Sequence, residues 1–442
     1  MNIRKLKFGI GVATLGAATL LGATASFAAD TQFIGSLVYR TGPYAPGGIP
    51  WADGFSDYFR LLNERDGGIN GVMLELEECD TAYNTDKGVE CYERLKNKGS
   101  TGMPAVSPLS TGITYALLDR VVADKIPLIT SGYGRADAAD GRVFPYAFVL
   151  PSTYWGGADI AIHHIADLEG GYGSLKGKKI ALVYHDSAYG KEPIKTLETL
   201  GAQHGFELSL FPVPHPGLEQ KATWLKIGRQ LRPDYVLMWG WGVMNATAIK
   251  EAAAVGFPRD KMIGVWWSGN EPDVITAGQA ALGYKALQMN RVGADFPLHK
   301  DIVKVLYDNG KGTASTPKDV GSAIYNRGIQ SAIYLAEALR TAMNEFGNKP
   351  VTGEQVQWAL DRFSLTEERI AEIGVTGLFA PVELSCIDHQ GQGQAMVTQW
   401  DGKQWKPITE LIAPNMEMLR PMYEESAAQY AKEKGITPRT CG

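Results

Sequence analysis

Residues 34–95 read IGSLVYRTGPYAPGGIPWADGFSDYFRLLNERDGGINGVMLELEECDTAYNTDKGVECYERL. Two periods alternate here. Phe33 to Tyr39 is a β-rich apolar run, and Val72 to Glu78 alternates as a strand does. Trp51 to Arg65 carries apolar residues at helical spacing and stops at Gly67-Gly68, and Thr85 to Lys96 is helical again. Strand, helix, strand, helix in that order predicts a parallel sheet covered by helices on both faces.

The pattern continues outward. Met103 to Val106 reads as a short strand, Thr111 to Ala123 as a helix and Ile126 to Thr130 as a buried strand. After a junction near Phe148 to Thr153 the series starts afresh. Strands are expected at Lys179–Tyr184, Phe206–Phe211, Tyr235–Trp239 and Met262–Trp266. Helices fall between them at Glu192–Gln203, Leu218–Leu231 and Val243–Val255. The fold class is therefore α/β, with two doubly wound parallel-sheet lobes in tandem. From Tyr284 long helices dominate, at Leu298–Tyr307, Val320–Met343 and Gly353–Leu360. Leu378 to Trp405 is strand-rich, and this region completes the two lobes without forming a third.

The amino terminus has the grammar of an export signal. Arg4, Lys5 and Lys7 precede an apolar stretch from Phe8 to about Gly22, which is short for a membrane span. Ala-Thr-Ala-Ser-Phe-Ala-Ala follows, so residues 1–29 are expected to be a cleaved signal peptide and the mature protein periplasmic. No cysteine follows that would take a lipid. The net charge of −5, without blocks of one sign, leaves no footprint for nucleic acid. Four cysteines in an oxidising compartment suggest two disulfides, Cys79 with Cys91 and Cys386 with Cys441. A zinc site is disfavoured, because no CxxC or neighbouring histidine accompanies them.

The opening stretch resembles the periplasmic leucine/isoleucine/valine-binding protein family. Thr41-Gly42-Pro43 after strand one, Asn63 to Gly71 closing helix one, and Asp80 ahead of the second helix carry the resemblance. VVADKIPLIT, KKIALVYHDSAYGK, RPDYVLMWGWG and EAAAVGFP follow in the same order. The resemblance implies a type I periplasmic binding protein, a Venus flytrap with three hinge crossings near 148–152, 284–288 and 378–382. Lobe 1 is then 31–150 plus 288–380, and lobe 2 is 151–287 plus 381–442. It implies no cofactor and no catalysis. The expected partners are a small carboxylate ligand and an inner-membrane ABC permease, the protein acting as a monomer. Enzyme motifs are missing to the same effect: there is no G-x-S-x-G, P-loop or H-E-x-x-H.

Ligand should sit between the lobes at the carboxyl ends of the strands. Pro108-Leu109-Ser110-Thr111 opens a helix; two hydroxyls and free N–H groups there suit a carboxylate, and in the family this turn binds it. An ordinary N-cap would look the same. The turn through Ser131, Gly132 and Tyr133 is a second candidate, or simply a tight turn. Its Gly134 falls where amino-acid-binding relatives have a hydroxyl for the ligand's ammonium. Tyr189, Trp241 and Trp267 are candidate pocket aromatics, whereas Trp239 and Trp266 read as core. Tyr44 could close the pocket from the other lobe. Arg291 suits either a ligand carboxylate or the surface. No acid matches the family's ammonium partner, Glu271 being the nearest. An apolar or aromatic carboxylate is thus expected, with a branched-chain amino acid as the alternative ligand and non-transport sensing as the alternative role.

Overall fold

The computed structural model of the protein describes residue 1 and residues 31–441. The expected signal segment, its first residue apart, lies outside the described residues. The first series runs β1 (Gln32–Val38), α1 (Ala45–Asp66), β2 (Leu74–Asp80), α2 (Thr85–Leu95), α3 (Thr111–Asp124), β3 (Leu128–Ile129) and β4 (Ala147–Phe148). The second runs α4 (Tyr154–Glu169), β5 (Lys179–His185), α5 (Ala188–Lys191), α6 (Ile194–His204), β6 (Glu207–Val213), α7 (Lys221–Leu225), β7 (Tyr235–Trp239), α8 (Val243–Ala254), β8 (Met262–Gly264), α9 (Glu271–Ala277) and β9 (Lys285–Gln288). The remainder comprises α10 (Pro297–Val305), α11 (Ala323–Phe346), α12 (Gly353–Leu360), β10 (Ser364–Leu365), α13 (Glu367–Ile373), β11 (Val382–Glu383), β12 (Met396–Trp400), β13 (Trp405–Pro407) and α14 (Met416–Lys434).

In the second series β6, β5, β7, β8 and β9 lie side by side and parallel. β12 and β13 extend the sheet antiparallel beyond β9. Counted within this series the parallel order is 2-1-3-4-5, a doubly wound sheet whose crevice opens between its first and third strands. The strands are buried on both faces; Ile180 to Val183 are fully covered. The first series is more fragmentary, with β1 parallel to β2, β3 parallel to β4, and Val106 bridging Leu128. Its helices are fixed by close contact of α1 with α11. A Cβ on Gly54 would stand 2.1 Å from the Tyr325 carbonyl oxygen, and one on Gly328 2.1 Å from that of Trp51.

Both expected disulfides are present, Cys79–Cys91 between β2 and α2 and Cys386–Cys441 at the tail. Several element boundaries differ from the sequence reading. The strand expected to reach Trp266 ends at Gly264, because Trp266 to Ser268 turn into a 3₁₀ helix. The helix over 218–231 starts at Lys221 and widens into a π turn from Lys226. Residues 103–106 make one bridge only. Residues 285–288, expected at a hinge crossing, are the paired strand β9, and the chain bridges Asn290 to Phe379 just beyond. The tail, assigned in sequence to the second lobe, packs α14 against Ala136, Ala139 and Phe144 as well as Trp155. Among the described residues, no helix is long and apolar enough to cross a membrane.

Candidate functional site

The site is built where α3 begins. Leu109 has φ +49° and turns the chain so that Ser110, in extended conformation, caps the helix. Its Oγ accepts from the Ile113 N–H at 3.4 Å, and its carbonyl accepts from Thr114 at 2.9 Å. The Thr111 and Gly112 N–H groups, in the first turn, lie at the positive end of the helix dipole. Thr111 Oγ1 accepts from Gly134 N at 3.2 Å, and Leu109 N donates to the Tyr133 hydroxyl at 2.8 Å. The two candidate turns of the first series are thereby locked together.

The opposite wall comes from the crevice of the larger sheet. Tyr189 follows β5 and Trp241 follows β7, the two strands that flank the crevice. The Tyr189 hydroxyl donates to the Gly240 carbonyl at 2.9 Å. Trp266 and Trp267, just past β8, reach across, and both indole N–H groups donate to the Gly132 carbonyl, at 2.6 and 3.0 Å. Gly132 has φ +73°, and a Cβ on it would meet Met289 Cε at 2.3 Å. That conformation favours glycine, and the residue serves as an anchor for the tryptophans.

Between these walls lies a cavity of about 240 Å³. Of the candidate residues, Ser110, Thr111, Tyr133, Tyr189, Trp241 and Trp267 line it. Ser131, Gly132 and Tyr44 do not. Ser131 is buried with its hydroxyl unpartnered, and the Tyr44 hydroxyl lies between His185 Nε2, at 2.7 Å, and His215 Nδ1. Tyr44 thus bridges two parts of the chain beside the cavity, and its ring packs 4.5 Å from Tyr83. Leu109, of the first candidate turn, also lines it, and sequence reasoning missed Tyr39, Tyr83 and Tyr154, which complete the lining. Tyr39 follows β1 directly and Tyr154 opens α4, so each was hidden by the element it adjoins. Tyr83 sits at φ +60° in the loop after β2, a conformation the sequence does not announce.

Every lining side chain is uncharged. Burial raises the phenols of Tyr39, Tyr154 and Tyr189 well above their ordinary pKa, so they remain neutral donors. Tyr83 faces Ser110 and Tyr154 faces Thr111, which gathers four hydroxyls around the start of α3. Arg291 is exposed and borders a separate cleft with Glu367 and Glu410. Glu271 accepts the Ala323 N–H at 3.0 Å and does not line the cavity; burial pushes its carboxyl up to about 7. Trp239 and Trp266 also stay out of the lining. Larger clefts open elsewhere, but the one of about 700 Å³ is walled by ion pairs such as Arg65–Asp66 and Arg369–Glu372.

Residues 31–404 match the family model described as periplasmic binding protein. The crystal structure of an ABC transporter permease from the Pseudomonas fluorescens group is 45% identical, with a TM-score of 0.86, covering 93% of this chain and 100% of its own. A branched-chain amino acid ABC transporter from Thermus thermophilus with bound valine is 22% identical, with a TM-score of 0.74, covering 89% of this chain and 99% of its own. A solute binding protein of an ABC transporter from R. palustris, in complex with benzoate, is 18% identical, with a TM-score of 0.66, covering 87% of this chain and 97% of its own. No curated protein matches. With the family model spanning both series of strands and helices, the chain belongs to the periplasmic binding protein family.

Proposed function

We propose that this protein is the periplasmic capture component of an ABC uptake system and that it closes two lobes around a small aromatic or apolar carboxylate. The observation that carries the reading is the chemistry of the cavity: hydroxyls and free N–H groups at one helix start, aromatic rings elsewhere, and no acid. The start of α3 takes the carboxylate through Ser110 and Thr111. Trp241, Trp267, Tyr133 and Tyr189 take the ring.

In this reading the first lobe holds 31–150 and about 289–380, and the second holds 151–288 with β12 and β13. Helix α14 touches both. The first 29 residues are an export signal that is cleaved. A monomer delivers its ligand to a membrane permease. The alternative ligand, a branched-chain amino acid, would bring an ammonium into a cavity with no carboxylate to pair it. Leaving such a charge unpaired costs several kcal/mol.

Calorimetry tests the choice. Benzoate- or cinnamate-type acids should bind, and leucine should bind at least about a hundredfold more weakly, since each 1.4 kcal/mol is tenfold. Tight leucine or valine binding without binding of aromatic acids would refute the ligand class.

A further inference from the structure

Arg327 lies on α11 and is fully buried. It donates to the Trp266 carbonyl at 2.7 Å and to Gln288 Oε1 at 2.5 Å. Its guanidinium carbon stands 4.9 Å from the ring centre of Trp267, a cavity-lining residue. Among the described residues its Nε has no hydrogen-bond partner. Both acceptors are neutral, so no carboxylate is bonded to this cation. The acid that faces it, Glu271, is itself held toward neutrality by burial, at about 7, and spends its oxygens on the Ala323 N–H. A buried guanidinium is ordinarily paired, and burial here draws its pKa down to about 9.

We propose that Arg327 determines specificity for charge: it is the buried cation that an anionic ligand neutralises from across the Trp267 ring. The inference rests on the carboxylate reading and adds the residue that enforces it. The hydroxyls and N–H groups at the start of α3 would bind an amide oxygen as they bind a carboxylate oxygen. A guanidinium with no carboxylate bonded to it, in a poorly screened interior, favours the anion over the neutral isostere. Held at the Trp266 carbonyl and Gln288, Arg327 also fixes the turn that carries Trp267. It is therefore a positioning residue as well as a source of field, and the two roles separate by experiment.

Benzoate and its neutral isostere benzamide are the probes, titrated calorimetrically into the full mature chain. Wild type should favour benzoate. Arg327→Met should lower that preference on the order of tenfold, chiefly by weakening benzoate, and Arg327→Lys should retain most of it. Circular dichroism and melting of each variant verify the fold, and Arg327→Gln, which keeps a donor to the Trp266 carbonyl, substitutes if the Met variant does not fold. An Arg327→Met or Arg327→Gln protein that loses both ligands equally, or keeps the wild-type preference, overturns the inference alone. A wild type that prefers benzamide or ignores both probes overturns it together with the carboxylate reading.

Discussion

At the scale of single residues, the indole of Trp241 seats against Gly47, a residue far from it along the chain. Trp241 announces itself by standing one glycine past a strand, where α/β sheets present ligand-binding side chains. Gly47 carries no such mark. Its requirement comes from a ring delivered by a distant part of the chain: a Cβ there would lie 2.5 Å from Trp241 Cη2. Gly47 sits in the first turn of α1, where alanine is the better helix former by about 1 kcal/mol. Gly47→Ala should therefore leave the melting temperature of the ligand-free protein unchanged or raised. It should weaken ligand binding by about fivefold to a hundredfold, the effect of overpacking by 1–3 kcal/mol. Unaltered affinity would mean that Trp241 does not seat on Gly47 in the bound state. The same logic explains Tyr39, Tyr83 and Tyr154: each sits at a place that local periodicity explains without a ligand, so only the tertiary structure assigns it to the cavity.

At the scale of elements, alternation of period was enough to order the strands, because buried parallel strands and amphipathic helices have different spacings. It failed where tertiary contacts cut an element short. Trp266 continues the apolar run of β8, yet its indole bonds the Gly132 carbonyl at 2.6 Å, which pulls the chain into a turn. Helix α14 was overlooked because Pro421 interrupts its pattern, although Leu419, Tyr423, Ala427 and Ala431 fall four apart and are buried. The start of α3 posed a different problem, since a cap and an anion site use the same residues. A single substitution separates them. Aspartate caps a helix as well as serine, so Ser110→Asp should keep the cap of α3 and the fold, as read by circular dichroism and denaturant unfolding. It places a negative charge where the ligand carboxylate is proposed to sit, and binding of aromatic acids should fall below detection in calorimetry. A Ser110→Asp protein that binds normally would leave Ser110 as a cap and nothing more.

For the whole molecule, the sequence revealed two tandem units and both disulfides, because cysteine pairing and repeated strand–helix series are visible along the chain. How the units close was not visible, since it depends on groups far apart in sequence meeting across the cleft. Glu192, following Tyr189, is such a group. Its carboxyl accepts from the Tyr115 hydroxyl on α3, and from the Ala136 N–H at 3.2 Å. Burial raises its pKa to about 8, with Asp137 adding to the effect and Arg135 opposing it. In an open cleft Glu192 would return to water and to an ordinary value near 4.3. The closed form thus binds more protons than the open form between about 4.3 and 8, and closure is favoured as pH falls through that window and opposed as pH rises. His185 acts in the other sense. Burial, and then His215, lower it to about 4, so the closed form sheds a proton below about 6.5. The two nearly cancel on the acid side. Between about 6.5 and 8 Glu192 acts together with Glu271, whose carboxyl is raised to about 7 where it meets Ala323 of the other lobe, and ligand affinity should drop as pH rises. Glu192→Gln keeps an acceptor for Tyr115 and cannot titrate, so it should reduce this slope, most of all above pH 7. Calorimetry at pH 6.5, 7.25 and 8 in buffers of differing ionisation enthalpy reads both the slope and the proton taken up. A slope unchanged in Glu192→Gln would mean that closure does not bury this carboxyl.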